Sequence, residues 1–238
     1  EPIPENLTGM REEIRKNNAD LGFVVDPDVD RLAIVDENGS MFGEEYTLVA
    51  VADYILQQKP GNTVSNLSST KALRELTEEY GGSYYPSAVG EVNVVEKMKD
   101  VHAIIGGEGN GGVILPDLHY GRDALVGIAL FLTHLARSGV SCSALRKRYP
   151  FYHITKNKIQ LTPDIDVDNI LSRLKKQYAD YPVNDVDGVR IEFREGWVHL
   201  RKSNTEPIIR VYSEGKDKET AEELASGIFN AVDKILQK

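Results

Sequence analysis

The chain has 238 residues, 41% of them hydrophobic and 27% charged, and a formal net charge of -9 from 28 Lys and Arg against 37 Asp and Glu. That length allows one or more globular cores, and an acidic composition without a basic block argues against nucleic acid as the main partner. No apolar run approaches the ~20 residues that cross a bilayer, so no membrane partner is expected, and the lone Cys142 cannot form an internal disulfide, which suits a reducing cytoplasm.

The chain opens with Glu1-Pro2-Ile3-Pro4-Glu5, without a signal-peptide pattern, and reads as the interior of a longer protein. Leu7, Met10 and Ile14 form one apolar stripe of a helix. Leu21 to Val25 and Leu32 to Val35 read as strands on either side of an acidic loop, and residues 1–40 as the end of a truncated α/β domain. From 41 to 150 helices and strands alternate, which predicts a mixed-sheet α/β domain. Its elements are a helix over Tyr46 to Gln57, a strand over Thr63 to Leu67, a helix capped by Ser69 or Thr70 and ending at Gly81-Gly82, and a strand over Ser83 to Tyr85. A helix over Val92 to Met98 and a buried strand over Val101 to Ile105 follow, then a glycine-rich loop and a long helix capped by Asp123, with Leu125, Ile128, Leu132 and Leu135 as its apolar face.

Residues 151–238 change pattern and predict a small α+β domain. A strand over Lys158 to Leu161 and a helix over Ile170 to Tyr178 precede a hairpin of Val189 to Phe193 with Trp197 to Leu200. A strand over Ile208 to Tyr212 and a closing helix carrying Ala221, Leu224, Ile228, Val232 and Ile235 complete it.

The acidic loop, Asp26-Pro27-Asp28-Val29-Asp30-Arg31, is the stretch hardest to explain by folding alone. On an extended backbone, acids spaced by two fall on one side, and such close like charges suit a hard divalent cation. An EF-hand fails because its sixth position, normally Gly, is Arg31. A haloacid-dehalogenase-type phosphatase fits less well, having Thr or Val where this chain has Asp30, yet on these letters it stays open, as does a solvated acidic turn.

Two further segments carry chemistry. Gly107, Gly109 and Gly112 match the spacing of a dinucleotide fingerprint, but Val113-Ile114-Leu115-Pro116 follows where a helix must open. What remains is a flexible loop presenting Glu108 and Asn110, whose acceptors and donors complement sugar hydroxyls; a plain glycine turn is the other reading. In Arg201-Lys202-Ser203-Asn204-Thr205-Glu206-Pro207, ahead of Arg210, a guanidinium, two hydroxyls and an amide make an anion cradle, unless the turn only caps.

These three segments, in this order, resemble the α-D-phosphohexomutase family, which includes phosphoglucomutases, phosphomannomutases and phosphoglucosamine mutases, over nearly all 238 residues. The family's Asp-Gly-Asp-Gly-Asp-Arg metal loop corresponds to Asp26 through Arg31 with both glycines replaced, its Gly-Glu-x-Ser-Gly sugar loop to Gly107 through Gly111 with Asn110 for Ser, and its phosphate loop to Arg201 through Pro207. The resemblance implies four domains, with 1–40, 41–150 and 151–238 as the end of the second, the third and the fourth. It implies that a phosphoserine in amino-terminal domains of the same enzyme exchanges phosphate with a hexose phosphate through a 1,6-bisphosphate. Asp26, Asp28 and Asp30 would hold Mg²⁺, with Arg31 a second positive contact at the transferred group. Glu108 and Asn110 would hold ring hydroxyls, and Arg201, Ser203, Asn204, Thr205 and Arg210 the phosphate that is not reacting. No Ser-His-Asn-Pro-like segment occurs in the chain, and Ala88, Glu91 and Gly112 stand where some members have basic residues. Glu91 after Val89-Gly90 tilts the substrate toward glucosamine phosphates. The reading from a different class is a sugar-phosphate or metal-binding module without turnover.

Overall fold

The computed structural model describes residues 6–161, 165–203 and 206–237. They divide into two units, Glu1–Pro150 and Phe151–Lys238. In the first, helix α1 (Thr8–Asn17) buries Ile14, with Leu7 just ahead of it, against Ala33 and Val35. The chain reverses at Asn18, whose φ of 48° is the left-handed conformation that Asn tolerates better than most residues. Strands β1 (Leu21–Val25) and β2 (Leu32–Asp36) then pair antiparallel, from Leu21↔Asp36 to Val25↔Leu32. That register leaves residues 26–31 as the hairpin loop.

Helix α2 (Glu44–Gln58) is buried continuously from Tyr46 to Asp53, as an apolar helix inside a layered domain must be. Strand β3 (Thr63–Asn66), helix α3 (Ala72–Glu79), strand β4 (Tyr84–Ser87), helix α4 (Glu91–Asp100), strands β5 (Ile105–Glu108) and β6 (Gly112–Ile114), and helices α5 (Ala124–Ser138) and α6 (Cys142–Arg146) follow. The sheet runs β4-β3-β5-β6, with β3 parallel to β4 and β5, and β5 antiparallel to β6. This is the mixed-sheet α/β arrangement expected from the alternation of elements.

The second unit contains β7 (His153–Gln160), α7 (Val167–Gln177), β8 (Val183–Asn184), β9 (Val189–Glu192), β10 (Gly196–Lys202), β11 (Ile208–Gly215) and α8 (Lys218–Leu236). Its antiparallel sheet, in the order β7-β11-β10-β9-β8, buries Val198, Leu200, Ile209 and Val211 with Leu174 of α7 and Ile228 and Val232 of α8. Among the described residues no helix is long and apolar enough to cross a membrane.

Three expectations need correction. The strand placed over Val101 to Ile105 begins only at Ile105, because 101–104 close α4 in a turn and the strand itself is built of Gly106 and Gly107. A Cβ on Gly106 would lie 2.8 Å from the Val64 carbonyl oxygen and 2.6 Å from Met98 Sδ, so glycine is required at this position of the strand. The glycine-rich segment is accordingly a tight buried hairpin, with Glu108 paired to Gly112, and not a flexible loop. On α5 the buried face is Ala124, Gly127, Phe131 and His134, whereas Leu125 is 64% and Leu132 43% exposed. Glycine sits at 127 on the inner face because the helix approaches closely there: a Cβ on Gly127 would stand 3.1 Å from Leu32 Cδ2.

Candidate functional site

The acidic loop folds as a turn. Val29 N donates to the Asp26 carbonyl at 3.0 Å, and Val29 itself adopts φ +59°, a left-handed conformation costly for a β-branched residue. Asp26 Oδ1 accepts the amides of Asp30 (3.1 Å) and Arg31 (3.0 Å), which fastens the loop from within. The three carboxylates converge through this turn and not by strand alternation, and one oxygen from each of Asp26, Asp28 and Asp30 lies within 4.8 Å of the others. Arg31 Nε stands 3.5 Å from Asp26 Oδ2 and 3.7 Å from Asp30 Oδ1.

Electrostatics separate the acids. Burial raises the Asp26 carboxyl, but the Arg31 amide and the hydrogen bonds from Asp30 outweigh it and hold the group below its usual range. Asp30 is pushed up, by burial first and then by the neighbouring Asp26 and Asp28, against the opposing charge of Arg122. Its Oδ1 is buried and takes no hydrogen bond from any described residue. A buried carboxylate oxygen without a donor, beside two more carboxylates, fits a hard divalent cation such as Mg²⁺.

The glycine hairpin meets this loop. Leu32 N donates to Gly111 O at 3.1 Å, and Gly111, at φ +86°, has no room for a side chain because a Cβ would lie 2.3 Å from the Leu32 carbonyl oxygen. Glu108 is buried, its Oε1 accepting Asn66 Nδ2 (2.7 Å) and the Gly90 amide (3.1 Å) and its Oε2 accepting Arg122 Nη1 (2.6 Å). Arg122 Nη2 bonds Asp30 Oδ2, and its Nε stands 3.2 Å from Glu91 Oε2. Asn110 Oδ1 accepts the Gly112 amide at 3.2 Å. One guanidinium thus links the acidic loop to the glycine hairpin.

The third segment lies in the second unit. Arg201 and Arg210 are cross-strand partners on β10 and β11, and Ser203, which is buried, donates its amide to Ile208 O at 3.0 Å where the hairpin begins to close. Arg201 Nε is buried without a hydrogen-bond partner among the described residues. Arg210 is occupied within the unit, its Nη2 on Glu206 Oε2 at 3.0 Å and its Nη1 3.4 Å from the Tyr212 hydroxyl. Asn204 and Thr205 lie outside the described residues.

Family models described as phosphoglucomutase/phosphomannomutase domains match in sequence order: alpha/beta/alpha domain II over residues 1–39, alpha/beta/alpha domain III over 43–152, and the C-terminal domain over 159–231. The chain belongs to the phosphoglucomutase/phosphomannomutase family. A probable phosphoglucosamine mutase of Methanopyrus kandleri is 33% identical over 243 residues, covering 100% of this chain and 53% of that relative. A phosphoglucomutase/phosphomannomutase of Thermococcus kodakarensis is 35% identical over 226 residues, covering 94% of this chain and 49% of that relative. A solved phosphoglucomutase/phosphomannomutase family protein of Burkholderia thailandensis superposes with a TM-score of 0.86 at 26% identity, over 98% of this chain and 50% of that one. The chain spans about half the length of the curated relatives it matches.

Within this family member, sequence reasoning missed the residues that tie the loops together. Arg122 comes 14 residues after Glu108 and 92 after Asp30. Asn66 precedes Glu108 by 42. No local spacing joins such positions. Gly112 makes room for the arginine, since a Cβ there would stand 2.4 Å from Arg122 Cδ, a relation that only the fold reveals.

Proposed function

We propose that this chain holds the cation and the sugar phosphate of a phosphohexomutase, an isomerase that interconverts hexose 6-phosphate and hexose 1-phosphate through a phosphoserine and a 1,6-bisphosphate. The membership of the family and the mutase names of its relatives support this over a module without turnover. Three segments, 1–40, 41–150 and 151–238, act as the parts of this machine. The phosphoserine is supplied by amino-terminal domains of the same enzyme.

Asp26, Asp28 and Asp30 are the residues that would hold Mg²⁺. When bound, the ion supplies positive charge beside the phosphoryl group in transfer. Arg31 adds a second cation at that place. Glu108 and Asn110 orient ring hydroxyls, and Arg201 and Ser203, with Asn204, Thr205 and Arg210, hold the distal phosphate. Glucosamine 6-phosphate is the first substrate to test, ahead of the glucose and mannose phosphates, because Glu91 follows Val89-Gly90 and several of the relatives bear phosphoglucosamine mutase names.

The observation that carries this reading is the Arg122 guanidinium bonded to both Asp30 and Glu108, which joins a cation-fitting carboxylate cluster to a buried polar hairpin in one unit. Its test is a coupled assay of the complete enzyme with each hexose 6-phosphate, with and without Mg²⁺. Turnover that needs both the cation and the amino-terminal domains supports it, and full turnover by these 238 residues alone would refute it.

A further inference from the structure

Arg122 belongs to none of the three loops, yet its guanidinium meets carboxylates from three segments: Asp30, Glu108 and Glu91. The side chain is 13% exposed. Its backbone is fixed on both sides, since Arg122 N lies 3.3 Å from Glu91 Oε1 while Asp123 N donates to Val113 O at 2.9 Å and Asp123 caps α5. Ala124 N donates to Val29 O at 3.0 Å, which sets the acidic loop against the same helix end. Asp30 therefore offers two unlike oxygens, Oδ2 held by Arg122 and Oδ1 without a donor.

A cation at the acidic loop and the Arg122 guanidinium compete for one carboxylate and repel each other. We propose that Arg122 is a positioning residue that couples the acidic loop to the glycine hairpin, moving from Asp30 toward Glu108 and Glu91 when a divalent cation binds. This rests on Asp26, Asp28 and Asp30 being cation ligands. The shift tightens the hold on Glu108 Oε2 and is felt at its Oε1 by the donors Asn66 and Gly90. By reciprocity, whatever fixes Arg122 on the hairpin side strengthens cation binding.

The experiment titrates Mg²⁺ into the isotope-labelled chain and follows two sets of amides by NMR. The Asp30 and Arg31 backbone amides report on Asp26 Oδ1, and the Gly90 amide and Asn66 side chain report on Glu108 Oε1. In the wild type both sets move with one midpoint. In Arg122→Met the first set moves at a Mg²⁺ concentration lower by roughly fivefold or more, because Asp30 has lost the guanidinium bonded to its Oδ2 while Arg31 stays in place, and the second set is silent. Arg122→Lys restores the weaker affinity without the transmitted shift, since one ammonium cannot present the fork that spans both acids. Gly112→Ala, which displaces the arginine but keeps its charge, also loses the transmitted shift and serves if Arg122→Met fails to fold. Unchanged Gly90 and Asn66 responses in Arg122→Met, or silence of these two in the wild type while Asp30 and Arg31 move, overturn the coupling alone. Silence of Asp30 and Arg31 in the wild type overturns the cation site, and the coupling with it.

Discussion

Asn66 Nδ2 donates to Glu108 Oε1 at 2.7 Å, joining the ends of two neighbouring parallel strands through two buried side chains. The bond gives the Glu108 charge one of its three fixed donors, beside the Gly90 amide and Arg122. Removing it by Asn66→Ala leaves a buried carboxylate short of a partner, at a cost of about 1 to 3 kcal/mol. The denaturation midpoint should fall with the slope unchanged. An unaltered midpoint would show that Glu108 does not depend on Asn66.

Asp26 and Asp28 should separate stability from cation binding. Asp26 is buried and accepts two backbone amides, so Asp26→Ala should cost on the order of 2 kcal/mol and also abolish cation binding. Asp28 is exposed, so Asp28→Ala should change stability by no more than about 0.5 kcal/mol. Calorimetric titration with Mg²⁺ should nevertheless show its affinity reduced by roughly tenfold or more, as loss of one of three charged ligands requires. Equal Mg²⁺ affinity in Asp28→Ala and wild type would remove that residue from the ligand set.

Asp53 should make the first unit sensitive to acid. Burial raises the Asp53 carboxyl, but His134, Tyr80, Gln57 and Tyr149 outweigh it and hold the group down at about 2. Tyr80 and Tyr149 each donate at 2.8 Å, Gln57 donates at 2.9 Å, and His134 Nε2 stands 3.1 Å away. Because the folded value lies below the ordinary 3.8, the unfolded chain binds more protons in this window. The stabilisation is complete above the unfolded value and is lost as pH falls through the folded one. It amounts to on the order of 2 kcal/mol. Urea titrations from neutral to strongly acid pH should show wild type and Asp53→Asn converging as acid is added. A constant gap would contradict the linkage.

In the second unit, Arg201 presents a buried Nε without a protein partner among the described residues, whereas Arg210 is paired with Glu206. Arg201→Ala in the complete enzyme should raise KM by about tenfold with kcat little changed, since a distal phosphate is held alike in ground and transition states. Arg210→Ala should have the smaller effect. Steady-state kinetics with the two variants decide between them, and an unchanged KM in Arg201→Ala would end its assignment to the phosphate.

The three loops were legible because each breaks a folding preference: acids where strands disfavour them, glycines in a row after an apolar run, and Arg, Ser and Asn in one turn. The convergence of Asp26, Asp28 and Asp30 was anticipated, but its cause was not, because a left-handed valine is invisible to residue preferences. The strand through Gly106 and Gly107 was hidden for the same reason, its need for glycine arising from Met98 and the Val64 carbonyl across the fold. On α5 hydropathy ranked leucines inward, while the buried face carries Ala124 and Gly127, the latter selected by close approach to Leu32. Arg122 stayed hidden because its three partners are distant in sequence and belong together only once β2, β5 and α4 are placed.

Titrating Mn²⁺ into the isotope-labelled chain tests the proposed metal centre most directly. Paramagnetic broadening is expected first at the amides of residues 28–31, and next at Leu32 and Gly111, whose amide and carbonyl join the two loops. Broadening confined to other acidic surface positions, with 28–31 left sharp, would contradict the assignment of Asp26, Asp28 and Asp30 and the phosphohexomutase function built on it.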